Sequence, residues 1–149
     1  MTLHLLKLCV GVETIGEVSD WIDEQRLFHA RLKRPFEHTH TTRMVPKKLD
    51  AILHAPEGPG SLYWVIKGQI ACRQQLIDIR PFTDGEGIGR CHLVLVPEVV
   101  PVSPRPFRPF QGWRYLAAGD APPDLGAQGA GVQEMPEDLR RELAGLGLI

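Results

Sequence analysis

The longest unbroken run of large apolar residues lies in the middle of the chain, at positions 62–66 (LYWVI). β-Branched and aromatic side chains favour a strand, and the absence of alternation favours a strand that is covered on both faces. A Pro-Gly pair at positions 59–60 precedes the run and Gly68 follows it. This pattern predicts a central strand with a loop before it and a tight turn after it.

Residues 69–80 continue with partial alternation of apolar and polar positions. Successive side chains of a strand point to opposite faces, so a change of phase means that the strand changes the face it presents. The apolar set changes phase between Gln75 and Leu76. We therefore predict one long strand with a bend or bulge at this point.

Periodicity on either side of this centre predicts the remaining elements. Residues 2–10 indicate a first strand, and Thr14 with Glu17 forms a capping box for a helix that ends near Ala30 or Leu32. We place Ile15, Val18, Ile22 and Phe28 on its buried face. Further elements are a strand at 36–45, a short helix at 46–53 and an antiparallel pair, 77–82 with 91–96, joined by a loop at 83–90.

The last third of the chain is rich in proline, alanine and glycine. Proline density in 97–109 excludes a central strand and predicts an extended segment, with Phe107 and Phe110 against the edge of the core. Residues 117–133 read as a flexible loop, and a short C-terminal helix is predicted from Pro136. Together, the elements predict a single α+β domain over residues 1–149. Its strongly bent, mostly antiparallel sheet forms a small barrel with an N-terminal, a short second and a short C-terminal helix.

Composition sets limits on function. The net charge of −1 provides no global field that would steer the chain to nucleic acid or to a membrane, but residues 27–50 are locally basic. Three cysteines in apolar runs, with no CxxC pair, predict buried thiols in a reducing cytoplasm. We interpret the apolar first residues as a strand rather than a signal peptide, and we expect no membrane span because no apolar run is long enough.

Aromatic and basic side chains together suggest a binding site. A base stacks on an aromatic ring while Arg or Lys contacts phosphate, so we predict an RNA, nucleotide or modified-base ligand and no cofactor. Ten residues are expected to converge on one concave wall: His40, Arg43, Lys47, Trp64, Lys67, Arg73, Gln74, Gln111, Trp113 and Arg114. The alternative is that Trp64 and Trp113 are core residues and that the polar side chains lie on a solvated sheet face.

His38 and His40 have the spacing that places two imidazoles on one face of a strand. Such a pair suggests zinc, but no third ligand follows at a convincing spacing. We predict no metal site, with both histidines at the surface or hydrogen-bonded.

Several long motifs carry a family resemblance: HTTRMVPKK at 40–48, SLYWVIKG at 61–68, GIGRC at 87–91 and RPFQGWRYL at 108–116. With them the chain resembles the bacterial family known as domain of unknown function 1489, over nearly its whole length. That resemblance implies no activity. The order of elements is also similar to that of PUA-like domains, including the ASCH and EVE groups, which implies a small barrel and binding of RNA or a modified base.

Two other functions are alternatives to a binding module. The similarity to ASCH-type proteins implies a small amidohydrolase acting on acylated nucleosides, in which a hydroxyl needs an adjacent base. Its groups would come from Thr41, Thr42, Lys47 or Lys67, with Glu37 or Asp78 as acid or base. The second alternative is a protein-interaction subunit that presents the proline-rich segment 102–109.

Overall fold

The computed structural model describes residues 1–125 of the 149-residue chain. It contains a mixed sheet of seven strands with two α-helices and a short 3-10 helix, Ala118–Asp120. The elements are β1 (Leu3–Leu8), α1 (Ile15–Arg31), β2 (His38–Thr42), α2 (Leu49–Leu53), β3 (Ser61–Ile66), β4 (Gln69–Thr83), β5 (Gly89–Leu95), β6 (Val100–Pro106) and β7 (Trp113–Ala117). The α+β prediction is confirmed.

The strand order is β2-β5-β4-β3-β1-β7, and β6 pairs with β4 beside this path. All pairings are antiparallel except that between β1 and β3. Within residues 1–125, β2 and β7 do not pair with each other, so the predicted barrel closure is not confirmed. Side chains link these two ends instead. The Trp113 indole donates to the Met44 carbonyl at 2.6 Å, and the Tyr115 hydroxyl accepts from the backbone N–H groups of Lys47 and Lys48 at 2.9 and 3.3 Å.

All six residues of β3 are buried because both faces of the sheet are covered there. On one face, Ile15, Val18 and Ile22 of α1 pack in the same cluster as Leu62 and Trp64. On the other face, Val102, Phe110 and Leu116 pack in a second cluster with Tyr63 and Val65. The predicted doubly covered strand is therefore confirmed, and so is the position of Phe110 at the core edge.

β4 carries the bend. Its first half pairs with β3 and β6, and its second half pairs with β5. The register shifts between Leu76 and Asp78, within two residues of the predicted point, and a second shift lies between Ile70 and Cys72. The turn before β4 holds Lys67 and Gly68 at φ 47° and 79°, as a two-residue hairpin requires.

α1 begins as the capping box predicts, with the Thr14 hydroxyl accepting from the Glu17 N–H at 3.2 Å. The placement of Phe28 is wrong: its side chain is 54% exposed. A helix turns by about 100° per residue, so the six residues from Ile22 to Phe28 span about 600°. That is not a whole number of turns, and it puts Phe28 well away from the Ile22 face. The Phe28 ring lies instead beneath the Arg34 guanidinium, at 5.6 Å.

The proline-rich segment forms β6, an extended strand on β4. A β-bridge joins Val102 to Asp124, and the Ser103 N–H donates to the Pro123 carbonyl at 2.8 Å. Residues 126–133 of the predicted flexible loop, and the predicted C-terminal helix, lie outside the described residues. In the described part, no helix is both long and apolar enough to cross a membrane.

Candidate functional site

A cavity of about 380 Å³ opens where β1 ends, between α1, β2 and β3. We call it the aromatic cavity. Its polar and aromatic lining consists of Lys7, Trp21, His40 and Trp64, and aliphatic side chains of residues 8–18 complete the wall. The volume falls within the range of about 300–1,000 Å³ that is usual for small-molecule sites.

Lys7 reaches this cavity because side chains alternate along β1. Leu3, Leu5 and Cys9 belong to the α1-side core cluster, so Lys7 faces the same way. It lies in register with Trp64 of β3 on one side and with Trp113 of β7 on the other. Burial lowers the pKa of Lys7, and within residues 1–125 no carboxylate forms an ion pair with it.

Four rings contact one another edge to face at the inner wall. The centroids of His40 and Trp64 are 5.1 Å apart, those of His38 and Trp21 are 4.5 Å apart, and those of Trp21 and Trp64 are 6.2 Å apart. The Trp64 indole donates to Gln74 Oε1 at 2.9 Å, and the Gln74 amide donates to the Val96 carbonyl at 3.2 Å. Trp64 and Gln74 are thus fixed from behind, within the core.

Both histidines lie on one face of β2, as their spacing predicted, but this is the inner face, and the expected surface position is wrong for His38, which is 1% exposed. Burial lowers the pKa of His38 and of His40 to about 4, with smaller contributions from Arg26 for His38 and from Lys7 for His40. Nε2 of each ring is buried and has no hydrogen-bond partner among the described residues, while His38 Nδ1 pairs with Gln25 Oε1 at 3.0 Å. In residues 1–125, no three His, Cys, Asp or Glu side chains cluster in a way that could hold a metal ion.

Arg73 lies in a different cavity, of about 480 Å³, on the opposite face of the sheet. Its guanidinium binds both oxygens of Asp124, at 2.8 and 2.7 Å, and donates to Ser61 Oγ at 3.0 Å. This bond holds the pKa of Asp124 below its usual value. Arg73 therefore ties residues 121–125 to the sheet with a charge-assisted, two-pronged bond.

A groove of about 540 Å³ lies on the outer face of β2 and β5. Next to it, Thr41 Oγ1 is 3.0 Å from Nδ1 of His92, and the His92 ring stacks on Phe82 at 4.3 Å. Arg80, which lines the groove, pairs with Glu37 at 2.7 Å and with Asp78 at 3.1 Å. A hydroxyl with an adjacent base, the arrangement sought for a hydrolase, is thus present at Thr41.

The ten predicted site residues do not share one wall, and that expectation is wrong. Only His40 and Trp64 line the aromatic cavity, with Gln74 behind Trp64 and Trp113 beside Lys7. The others are distributed over separate surfaces. Arg43, Lys47 and Gln111 are exposed. Lys67, in the β3–β4 turn, pairs with Glu13 at 3.4 Å, and the Arg114 guanidinium lies over the Phe110 ring at 4.9 Å. Ligand binding by individual members stays a prediction.

Sequence reasoning missed Lys7 and Trp21. A signal for Lys7 existed, because it is the one charged residue at the inward positions of the first strand, between Leu5 and Cys9. For Trp21 the signal was its position three residues after Val18 on the buried face of the helix. All three cysteines are free thiols, with Cys72 and Cys91 buried as predicted and Cys9 partly exposed.

Comparison with known proteins gives a family and no activity. The family model described as "Protein of unknown function (DUF1489)" matches residues 5–149. No curated protein and no solved structure matches the chain, so the PUA-like resemblance stays a prediction. Since the matched region covers nearly all of the sequence, the chain belongs to the DUF1489 family.

Proposed function

We propose that this protein is a binding module for RNA or a nucleotide, and that it holds one base in the aromatic cavity. The observation that supports this most directly is the Lys7 ammonium, half-buried, without a carboxylate partner within residues 1–125 and between two indoles in register. Such a group in an otherwise apolar recess favours a ligand that brings its own hydrogen-bond acceptors. A nucleobase is such a ligand, because its edges carry hydrogen-bond acceptors for the ammonium and its flat apolar faces fit the apolar recess.

The lining supplies the faces against which a ring packs. Trp21 is partly exposed, whereas Trp64 is only 1% exposed and is fixed through Gln74. Trp64 therefore forms the rigid floor and Trp21 the accessible side wall. Stacking on an aromatic side chain contributes about 1–3 kcal/mol per base and tolerates all four bases.

Exposed cations on the segment that follows β2 suit a phosphate backbone. Arg43 and Lys47 follow β2, which carries His40, and they lie on the segment that Trp113 and Tyr115 fix to β7. Phosphate contacts release counterions, so we expect RNA affinity to fall with salt while nucleoside affinity does not.

Trp21→Ala is expected to weaken binding of nucleosides and of single-stranded RNA about tenfold, the loss of one stacking contact. Titration of indole emission and calorimetry measure this, with circular dichroism as a check on the fold. Phe28→Ala is the matched control, because it removes an aromatic ring from the same helix at a position that is 54% exposed and outside the cavity. Equal affinities of parent and Trp21→Ala would contradict the proposal.

A second candidate, hydrolysis of an acylated nucleoside, is favoured by the pair formed by Thr41 and His92. In that reaction the Thr41 oxygen bonds to the acyl carbon while His92 accepts its proton; the amine then leaves with that proton, and water cleaves the ester.

If that candidate is correct, Thr41→Val abolishes release of acetate from an N-acetylated nucleoside, because valine keeps the shape of threonine without its hydroxyl. Thr39→Val is the matched control: Thr39 lies two residues earlier on β2 and lines the groove. Turnover by the Thr41→Val variant at the parental rate would exclude Thr41 as nucleophile.

A further inference from the structure

The aromatic cavity offers its ligand hydrogen-bond donors and few acceptors. The Lys7 ammonium carries three donors and no acceptor, and the Trp21 indole carries a donor only. The Trp64 indole N–H is already committed to Gln74. Burial raises the pKa of the Cys9 thiol to about 11, so Cys9 lines the cavity as a neutral, weakly polar group.

His40 does not reverse this balance. It brings at most one acceptor against the three donors of Lys7, because Nε2 is buried and only Nδ1 can meet a ligand. The remaining lining side chains are aliphatic: Leu8, Val10, Val12 and Val18. Lys7 is therefore the side chain that decides which ring edge is accepted.

We propose that Lys7 makes the aromatic cavity selective for bases that present a keto oxygen to it, uracil and guanine, over bases that present an amino group at the same ring position, cytosine and adenine. This inference rests on the proposed function. An amino group placed against the ammonium leaves two donors facing each other, and neither has an acceptor. Because the amino edge loses this hydrogen bond and leaves the ammonium unpaired, we expect roughly a tenfold preference for the keto edge.

Two pairs of nucleosides change this exocyclic position; in each pair the adjacent ring nitrogen also changes from an N–H donor to an acceptor, so the Lys7 variants below assign the cause. Uridine and cytidine differ at position 4 by oxygen against amino nitrogen, and inosine and adenosine differ likewise at position 6. Nucleosides carry no phosphate, so a contact between Lys7 and phosphate does not contribute. The parent is expected to bind uridine about tenfold more tightly than cytidine and inosine about tenfold more tightly than adenosine, in titrations of indole emission.

Variants at Lys7 then test the cause. Lys7→Gln supplies both a donor and an acceptor and should reduce each preference to within about twofold, and Lys7→Glu, which has acceptors only, should reverse it. The control is Arg31→Gln, which removes an exposed cation of α1 outside the cavity and should keep the parental preference.

The outcomes separate the two proposals. Binding of all four nucleosides with equal affinity overturns the selectivity and leaves the proposed function standing. A preference that persists in Lys7→Gln, or a Lys7 effect seen with nucleoside monophosphates but not with nucleosides, also overturns it, the latter by assigning Lys7 to phosphate. If no nucleoside, nucleotide or single-stranded RNA binds the parent, both proposals fail.

Discussion

Gly60→Ala is expected to destabilise the protein by about 3 kcal/mol, the upper end of what overpacking usually costs. A Cβ at this position would fall against the Leu3 carbonyl oxygen, far inside contact distance, and 3.3 Å from the Ile52 carbonyl oxygen. Both obstacles are backbone, so no side chain can rotate away. Gly60 also donates its N–H to Ile52 at 2.6 Å and accepts from Leu76 at 2.9 Å. The backbone therefore cannot shift without losing hydrogen bonds on both sides.

Urea unfolding at neutral pH measures this loss, and a thermal midpoint lower by roughly 6–12 °C should accompany it. Gly89→Ala is the control, because a Cβ there meets nothing within 4 Å and its φ is not positive. That variant should be as stable as the parent, or slightly more so because its unfolded chain has less freedom. Parental stability of Gly60→Ala would show that β1 and α2 do not hold the β3 start as closely as described.

The unfolding free energy is expected to fall by about 4 kcal/mol between pH 7.5 and pH 5, through His38 and His40 together. Both imidazoles have a pKa of about 4 in the folded protein against 6.5 when unperturbed. Between these two values the unfolded chain binds more protons than the folded chain, so stability decreases as the pH falls. At about 1.4 kcal/mol per pH unit, each histidine contributes about 2 kcal/mol by pH 5. Well below pH 4, where the folded and the unfolded chain are both protonated, their contribution is constant.

Urea titrations at the two pH values should show about half of this dependence in His40→Phe, which keeps a ring but has no proton to bind. The double variant His38→Phe, His40→Phe should retain only a small slope, to which His4 contributes because burial also lowers its pKa. His54→Gln removes an exposed imidazole and is the control, with the parental slope expected. If the double variant kept the parental dependence of unfolding free energy on pH, the two imidazoles would be hydrated in the folded protein and their burial would not lower their pKa.

Local patterns were sufficient for most of the elements. The uninterrupted run in β3, the capping box of α1 and the phase change near Leu76 each depend on neighbouring residues, and each was placed correctly. Prediction failed where the pattern was applied with the wrong period, as for Phe28. Prediction of the site also failed. Whether the ten residues share one concave wall depends on how strands that are distant in sequence are oriented, and local patterns do not contain that information.

Sequence alone determined most of the strands and helices, although not β6 and β7, and it determined that β3 is covered on both sides and that His38 and His40 point the same way, since these follow from 2.0- and 3.6-residue periodicities. Only the tertiary structure decided that Lys7, Trp21, His40 and Trp64 meet in one cavity while Arg73 lies behind the sheet. The physical reason is pairing register. β1 lies between β3 and β7, with Lys7 in register with both Trp64 and Trp113, and no local pattern encodes which strands become neighbours.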